Sequence, residues 1–279
     1  MTDAECQEMR AEFFIDGAIV VASHPRSGTH LVMDLLRRQF PSCEPPRRQF
    51  FLGNPYWNLD EIVCETTVAT ERRIARMAYT DRPVLKTHRR PDFFANCQYT
   101  RNVAPERVSF AHEVMMRAAK IYVYRSVPNV MKSLYAMVHP SGGVPFGSFI
   151  REVRGPWSRV GWWATHLSEW MRAEHTLLVC YEELMRNPVS SVRRLADFVG
   201  EEALMRVPVL PRPPSSLYLE RFRKLLSLRR ESTALMFYGK KTATIRPSLA
   251  DLDFMREEAM RIDPRLTGLL GAEFEGARG

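Results

Sequence analysis

Apolar residues fall into two kinds of pattern along this chain: short unbroken runs, and longer stretches in which they recur three and four positions apart. The short runs are Ala18–Ala22, Val84–Thr87, Lys120–Tyr124 and Thr176–Cys180. Each is rich in β-branched or aromatic residues, and each predicts a strand buried on both faces, as in a parallel sheet. The first run leads into Leu31–Phe40, with apolar positions at 31, 32, 35, 36 and 40, the spacing of a helix with one buried face. The third leads into a stretch apolar at 127, 130, 131, 134, 135 and 138, with Ser126 able to cap it and Pro128 in its first turn. Between Trp157 and Arg172, Trp162, Trp163, Leu167 and Trp170 share a helical face, which predicts packing. Asn187-Pro188 opens a further helix that stops at Gly200. Strands alternating with helices predict an α/β fold: a doubly wound parallel sheet flanked by helices. In such sheets ligands bind beyond the carboxyl ends of the strands, where the polar clusters 23–30, 86–90 and 125–133 fall.

Composition narrows the class. At 279 residues, 45% hydrophobic and 26% charged, the chain suits one α/β domain over 1–279. The net charge of +8 fits a polyanionic ligand or a solvated basic surface. No nucleic-acid-binding motif accompanies it, so nucleic acid is not expected as a partner. Cys6, Cys43, Cys64, Cys97 and Cys180 are odd in number and well separated, without metal spacing. Free thiols, no metal and a cytoplasmic location are the expectation. Apolar runs fall well short of the ~20 residues a transmembrane helix needs, and the mixed-charge N-terminal stretch lacks the apolar core of a signal peptide.

The stretch AIVVASHPRSGTHLVMDLLRR carries the most chemistry. A strand, a tight polar loop and a helix aim backbone N–H groups and the positive helix end at one point, which makes an anion site. The Walker P-loop requires Lys after its last Gly, then Ser or Thr for magnesium. Here Thr29 and His30 follow Gly28, and the cation Arg26 precedes it. ATP with magnesium fits poorly. At the end of the second strand, LKTHRRP presents Lys86 and His88, and a histidine can accept a proton near neutral pH. At the end of the third, Arg125 is followed eight residues on by Ser133, a guanidinium fork and a hydroxyl suited to phosphate.

Taken in order, Pro-Arg-Ser-Gly-Thr, Lys-Thr-His and the Arg125/Ser133 pair resemble the sulfotransferases that use 3′-phosphoadenosine 5′-phosphosulfate (PAPS), and the likeness runs over residues 18–200. The resemblance implies a P-loop NTPase-like sulfotransferase architecture and transfer of a sulfonate group to an acceptor hydroxyl or, as a lesser option, an amine. It assigns His88 as general base, with Arg26 and Lys86 stabilising charge on the transferred group. Arg26, Ser27, Gly28, Thr29 and His30 would hold the 5′-phosphosulfate, Arg125 and Ser133 the 3′-phosphate. Tyr181 would reach the nucleotide, with Ser215 on the adenine side, and no metal is called for. The chain departs from the family pattern in three places. Arg26 replaces the usual Lys; Leu31 stands at the position of the aromatic that stacks on adenine; and the Arg-Lys-Gly clamp on the 3′-phosphate is not intact, with Gly239, Lys240 and Lys241 in its stead. The animal cytosolic dimerisation motif is not recognisable, and the oligomeric state stays open.

Residues 207–247, proline-rich and then basic, read as either a lid over the nucleotide or an exposed basic surface. Two rival readings remain: a P-loop kinase or nucleotide hydrolase, and a sulfotransferase-like protein that binds nucleotide without catalysis. Loops 41–70, 89–112 and 139–158 would shape the acceptor pocket. Their aromatics (Phe50, Phe51, Tyr56, Trp57, Phe93, Phe94, Phe146, Phe149) suit a small-molecule or lipid acceptor of apolar or aromatic character, although packing would equally account for them.

Overall fold

Strand β1, Ile19–Ser23, is the axis of the molecule, and none of its residues is exposed. The computed structural model describes residues 15–44, 57–64, 77, 80–96, 105–205, 210 and 245–270. β1 lies between β3 (Val84–Thr87) and β4 (Ala119–Tyr124), with β2 (Trp57–Asn58) outside β3 and β5 (Thr176–Cys180) outside β4. All pairings in this five-stranded sheet are parallel. The fold is the doubly wound α/β sheet that the sequence predicts.

Side chains alternate across a strand, and β1 divides accordingly. Val20 and Ala22 enter one core with Leu85 and Tyr122; Ile19 and Val21 enter a second with Ile121 and Val123. Helix α1 (Thr29–Gln39) covers the second face, and there Leu31, Leu35 and Leu36 meet Val192, Leu195 and Val199 of the helix Pro188–Val199. On the opposite face the helix Arg159–Arg172 sinks Trp163, Leu167 and Trp170, against Val127, Val130 and Met131 of Val127–Val138 and Met255 and Ala259 of Leu249–Ile262. Apolar residues on both faces of every central strand explain why the sequence shows continuous runs there.

Register sets the site. Ala22 pairs with Thr87, Ser23 with Val123 and Tyr124 with Cys180, so these strands end at one edge of the sheet. From β1 the chain fills one side of the sheet with β2 and β3 and then crosses to the other side, which makes the end of β1 a topological switch point, where loops diverge and leave a crevice.

Several local expectations change. The loop 41–70 contains β2 and the helix Leu59–Cys64, and 89–112 contains most of the first turns of the helix Pro105–Arg117. The segment 139–158 contains the helix Phe146–Arg151 and a two-stranded hairpin, Val153–Arg154 with Trp157–Ser158. These pieces are too short to show a period. Ser126 occupies the N-cap of its helix without a capping hydrogen bond from its side chain. Its N–H donates to the Glu182 carboxylate and its hydroxyl accepts from Asn129 Nδ2, so a distant carboxylate does the capping. Asn187 does cap its own helix, by accepting from Ser190 N–H, and Gly200 ends it at φ 73°. Most of the candidate lid, with Ser215, Gly239, Lys240 and Lys241, lies outside the described residues, as do Phe50, Phe51 and Tyr56. No helix among the described residues is long and apolar enough to cross a membrane.

Trp163 is fully buried where three helices meet the sheet. Trp163→Ala is expected to cost about 3–5 kcal/mol, the usual penalty for removing a buried large aromatic, measured by denaturant unfolding.

Candidate active site at the end of strand β1

The loop after β1 departs from ordinary backbone at two residues. Arg26 sits at φ 75° and Gly28 at φ 106°, with Gly28 as N-cap of α1. A non-glycine residue in the left-handed region costs of order 1 kcal/mol and recurs at functional sites. Gly28 is required for a second reason: a Cβ there would lie 2.5 Å from Tyr181 Cδ2. α1 begins without a side-chain cap and without an acidic residue in its first turn. Its leading amides and the positive end of its dipole therefore remain for an anion. The Ser27 N–H differs from expectation, because it closes a turn onto the His24 carbonyl at 3.2 Å. The buried Ser27 hydroxyl has no hydrogen-bond partner among the described residues, and such a group calls for one. Ser23 and Thr29 hydroxyls meet at 2.5 Å across the base of the loop.

On one side of the loop lie Arg26, Arg125, Ser133 and Tyr181. Arg26 Nε donates to Ser133 Oγ at 3.0 Å, joining the loop to the helix after β4. The Arg125 guanidinium stacks 4.5 Å over the Tyr181 ring and reaches the Arg26 carbonyl at 3.5 Å. Glu182, 3.8 Å from Arg125 Nε, spends its oxygens mainly on Ser126 N–H and Asn129. The sequence shows a Glu pair after Tyr181 without revealing this tie.

On the other side lie Lys86, His30 and His88. Lys86 Nζ donates to His30 Nε2 at 3.1 Å. Burial, then the Lys86 charge, lowers the His30 pKa to about 3, so His30 is a neutral acceptor. Burial also lowers the Lys86 pKa, against the pull of Glu61 and Asp60. His88 Nδ1–H donates to the Ser23 carbonyl at 2.8 Å, which fixes the tautomer and leaves Nε2 with its lone pair. Burial lowers the His88 pKa, partly offset by the Ser23 carbonyl and Asp60. Asp60 accepts from Thr87 Oγ1 at 2.5 Å and from the His88 N–H at 3.0 Å. No local pattern in the sequence marks Asp60.

Leu31 departs from its assignment. Its side chain is sealed in the core beneath α1, where it packs rather than facing the loop. Trp162 leaves the packing stripe: its ring meets His24 edge-on, with centroids 4.7 Å apart. Among the pocket aromatics, Trp57, Phe94 and Phe149 are core residues, whereas Phe93 and Phe146 are half-buried. Among the described residues no group of His, Cys, Asp or Glu is arranged to hold a metal ion. The arrangement combines an uncapped anion site, cations on both flanks and a neutral imidazole with one open nitrogen. Chemically, it can bind a phosphate or sulfate ester and remove a proton beside it.

Comparison with known proteins supplies a family and a fold. The sulfotransferase domain family matches residues 16–209. Sulfotransferase 2B1 of Mus musculus is 25% identical over 207 residues, 69% of this chain and 54% of the relative. Sulfotransferase 1A1 of Canis lupus familiaris is 31% identical over 88 residues, 29% of this chain and 30% of the relative. The matched region spans about half the length of the Sulfotransferase 2B1 relatives. Mouse sulfotransferase SULT7A1 complexed with PAP shares the fold, with a TM-score of 0.55 at 15% identity over 97% of this chain and 95% of that one.

His24, His30, His88 and His166 all have pKa values lowered chiefly by burial, to about 3 for His30 and His166. In the unfolded chain they titrate near 6.5, so below that pH the unfolded state binds more protons than the folded one. Stability is therefore complete above pH 6.5 and is lost as pH falls toward 3. Denaturant unfolding between pH 7 and pH 5 should show a loss approaching roughly 1.4 kcal/mol per pH unit for each histidine that stays neutral.

Proposed function

The chain belongs to the sulfotransferase domain family, and on that premise we propose that it transfers a sulfonate group from PAPS to a hydroxyl or, as a lesser option, an amine of a small-molecule or lipid acceptor, working as one domain over residues 1–279. The observation that carries this reading is the His88 imidazole, locked by the Ser23 carbonyl into the tautomer with an open Nε2, beside an uncapped phosphate loop.

In this reading, the amides at the start of α1 and the hydroxyls of Ser27 and Thr29 hold the 5′-phosphosulfate. The pocket fits that group: Ser27 offers an unused buried hydroxyl, and Gly28 leaves the room that a Cβ would fill. Arg125 and Ser133 hold the 3′-phosphate, and Tyr181 braces Arg125 from below. His88 Nε2 takes the acceptor proton as the acceptor oxygen forms its bond to sulfur in line with the departing bridge oxygen. The sulfur–oxygen bond to the 5′-phosphate breaks, and its electron pair leaves with 3′,5′-adenosine bisphosphate. Arg26 and Lys86 stabilise the negative charge growing on the bridging and peripheral oxygens. His30 supports this by accepting a hydrogen bond from Lys86, which keeps the ammonium turned toward the loop. Fixed cations do the neutralising, so no metal enters the scheme. Cys43, Cys64 and Cys180 are free thiols, which suits a reducing, cytoplasmic setting.

Recognition of the 3′-phosphate separates this reading from an ATP-using kinase or hydrolase. In a thermal-shift titration, 3′,5′-adenosine bisphosphate should stabilise the protein without magnesium and ATP should do so far less; the reverse order would favour the kinase reading.

His88→Ala should lower turnover in a labelled-PAPS acceptor screen by about 100- to 10,000-fold and leave adenosine bisphosphate binding nearly intact. Because protonated His88 cannot act as a base and its pKa is lowered, the rate should fall with acidity only below pH 6.5. Near-normal turnover by the variant would refute the base assignment.

A further inference from the structure

His166 lies wholly buried on the helix Arg159–Arg172, beside the stripe Trp162, Trp163, Leu167 and Trp170 whose spacing predicts packing. Its ring does more than fill space, for both nitrogens are engaged with opposite polarity. Nε2 lies 3.1 Å from the backbone carbonyl of His88. A carbonyl can only accept, so Nε2 carries the hydrogen. Nδ1 must then be the acceptor, and Tyr122 OH lies 2.8 Å from it and donates. The His24 ring, at the start of the loop after β1, meets the His166 ring edge-on with centroids 6.0 Å apart. One residue further along, the indole of Trp170 donates to the Arg89 carbonyl at 3.1 Å. Tyr122 also stacks on Trp170, with centroids 5.5 Å apart at 17°.

Tyr122 OH, His166 and the His88 carbonyl thus form one hydrogen-bonded chain, and His24 packs against its central ring. On the amino side, Asp60 grips the His88 N–H, so the peptide units on both sides of the imidazole are held. The ring itself is then aimed by the Ser23 carbonyl. His166 is the member of this frame that joins the phosphate loop to the residue beside it.

We propose that the buried Tyr122–His166 pair is a positioning device, in which Tyr122 fixes the polarity of the His166 ring and His166 holds the His88 backbone so that the His88 ring keeps the Nδ1–H tautomer. The inference deepens the sulfotransferase reading and rests on His88 acting as its base. His166 touches neither nucleotide nor acceptor in this scheme; it acts through His88. Its neutrality follows from burial, which lowers its pKa to about 3. A protonated ring would have no lone pair for Tyr122, and the chain of donors would break.

The geometry separates the two halves of the device. A glutamine at 166 places its amide nitrogen where Nε2 was and can still donate to the His88 carbonyl. An asparagine mimics Nδ1 and cannot reach it. Phenylalanine keeps the ring and loses both bonds.

The test uses the full chain with labelled histidine. Carbon and nitrogen NMR shifts of the His88 ring report its tautomer, titration calorimetry reports the affinity for 3′,5′-adenosine bisphosphate, and labelled PAPS with an acceptor panel reports transfer. The wild-type ring should be essentially all Nδ1–H. In His166→Phe the ring should become a mixture of tautomers, with kcat down about 10- to 100-fold, as misplacement of a reacting group predicts. The KM for PAPS and the bisphosphate affinity should stay within about 3-fold, since neither depends on the held group. His166→Gln should restore most of the tautomer and rate, and His166→Asn should not. Should His166→Phe fail to fold, Tyr122→Phe, which deletes a single oxygen, should shift the tautomer and kcat in the same direction by a smaller factor. A folded His166→Phe with an unchanged tautomer, or a kcat that falls only in step with bisphosphate affinity, overturns the inference. The tautomer readout needs no turnover, so a wild-type protein that transfers no sulfonate would sink the proposed function while the positioning role is still judged by the ring.

Discussion

The hydrogen bond from His88 Nδ1–H to the Ser23 carbonyl is where the geometry of the whole site converges. It exists only because β1 and β3 run parallel, side by side, in a register that pairs Ala22 with Thr87. Shifting one strand by a residue would exchange the faces of all its side chains. That would turn His88 away from the loop and drive the apolar set of β3 toward the wrong core. The register is held by two cores at once, with Val20 and Ala22 packed on one face and Ile19 and Val21 on the other. The placement of one imidazole is therefore underwritten by the burial of the sheet, and no local feature of the Lys-Thr-His segment could do it alone.

Charge around the loop follows a second constraint. Arg26, Lys86 and Arg125 converge on a helix end that is itself positive. Burial makes such a collection costly, and Glu182 beside Arg125 and Asp60 and Glu61 near Lys86 offset part of it. Arg26 rests on a neutral hydroxyl, Lys86 on a neutral imidazole, and Arg125 on the face of Tyr181. Glu182, the acid closest to this side, is turned mainly to the amide and Asn129 at the start of the next helix. The hydroxyl, the imidazole and the aromatic face orient the three cations around the loop, where their summed charge favours an anion.

Much of this was legible in the chain. The four long strands appear as apolar runs because parallel strands are buried on both faces. The phosphate loop, Lys86, His88, Arg125 and Ser133 appear because each cluster follows a strand, and parallel strands of one sheet deliver their ends to one edge. β2 and the short helices beside it did not appear, since a two-residue strand has no period and its pairing with β3 is purely tertiary. Asp60 was silent for the same reason: its role is defined by Thr87 and the His88 amide, far away in sequence. Leu31 misled in the other direction. Its place just after the loop points to the ligand, yet its helical phase puts it with Leu35 on the face turned to the sheet.

His166 shows why a pattern can be correct and still incomplete. Its neighbours Trp163, Leu167 and Trp170 do pack, and the periodicity that predicts a buried face is right about the helix. Burial, however, changes the meaning of a polar atom within such a face. A buried imidazole with two unmet nitrogens would cost several kcal/mol, so its presence in a core demands partners of opposite polarity on its two sides. Tyr122 from β4 and the His88 carbonyl from the end of β3 meet that demand. Neither a hydrocarbon side chain nor a single-donor residue can bridge these two groups at this spacing. The histidine is thereby tied to the geometry of both strands, and a polar residue beside the hydrophobic stripe becomes the point where the helix layer meets the two loops that make the site.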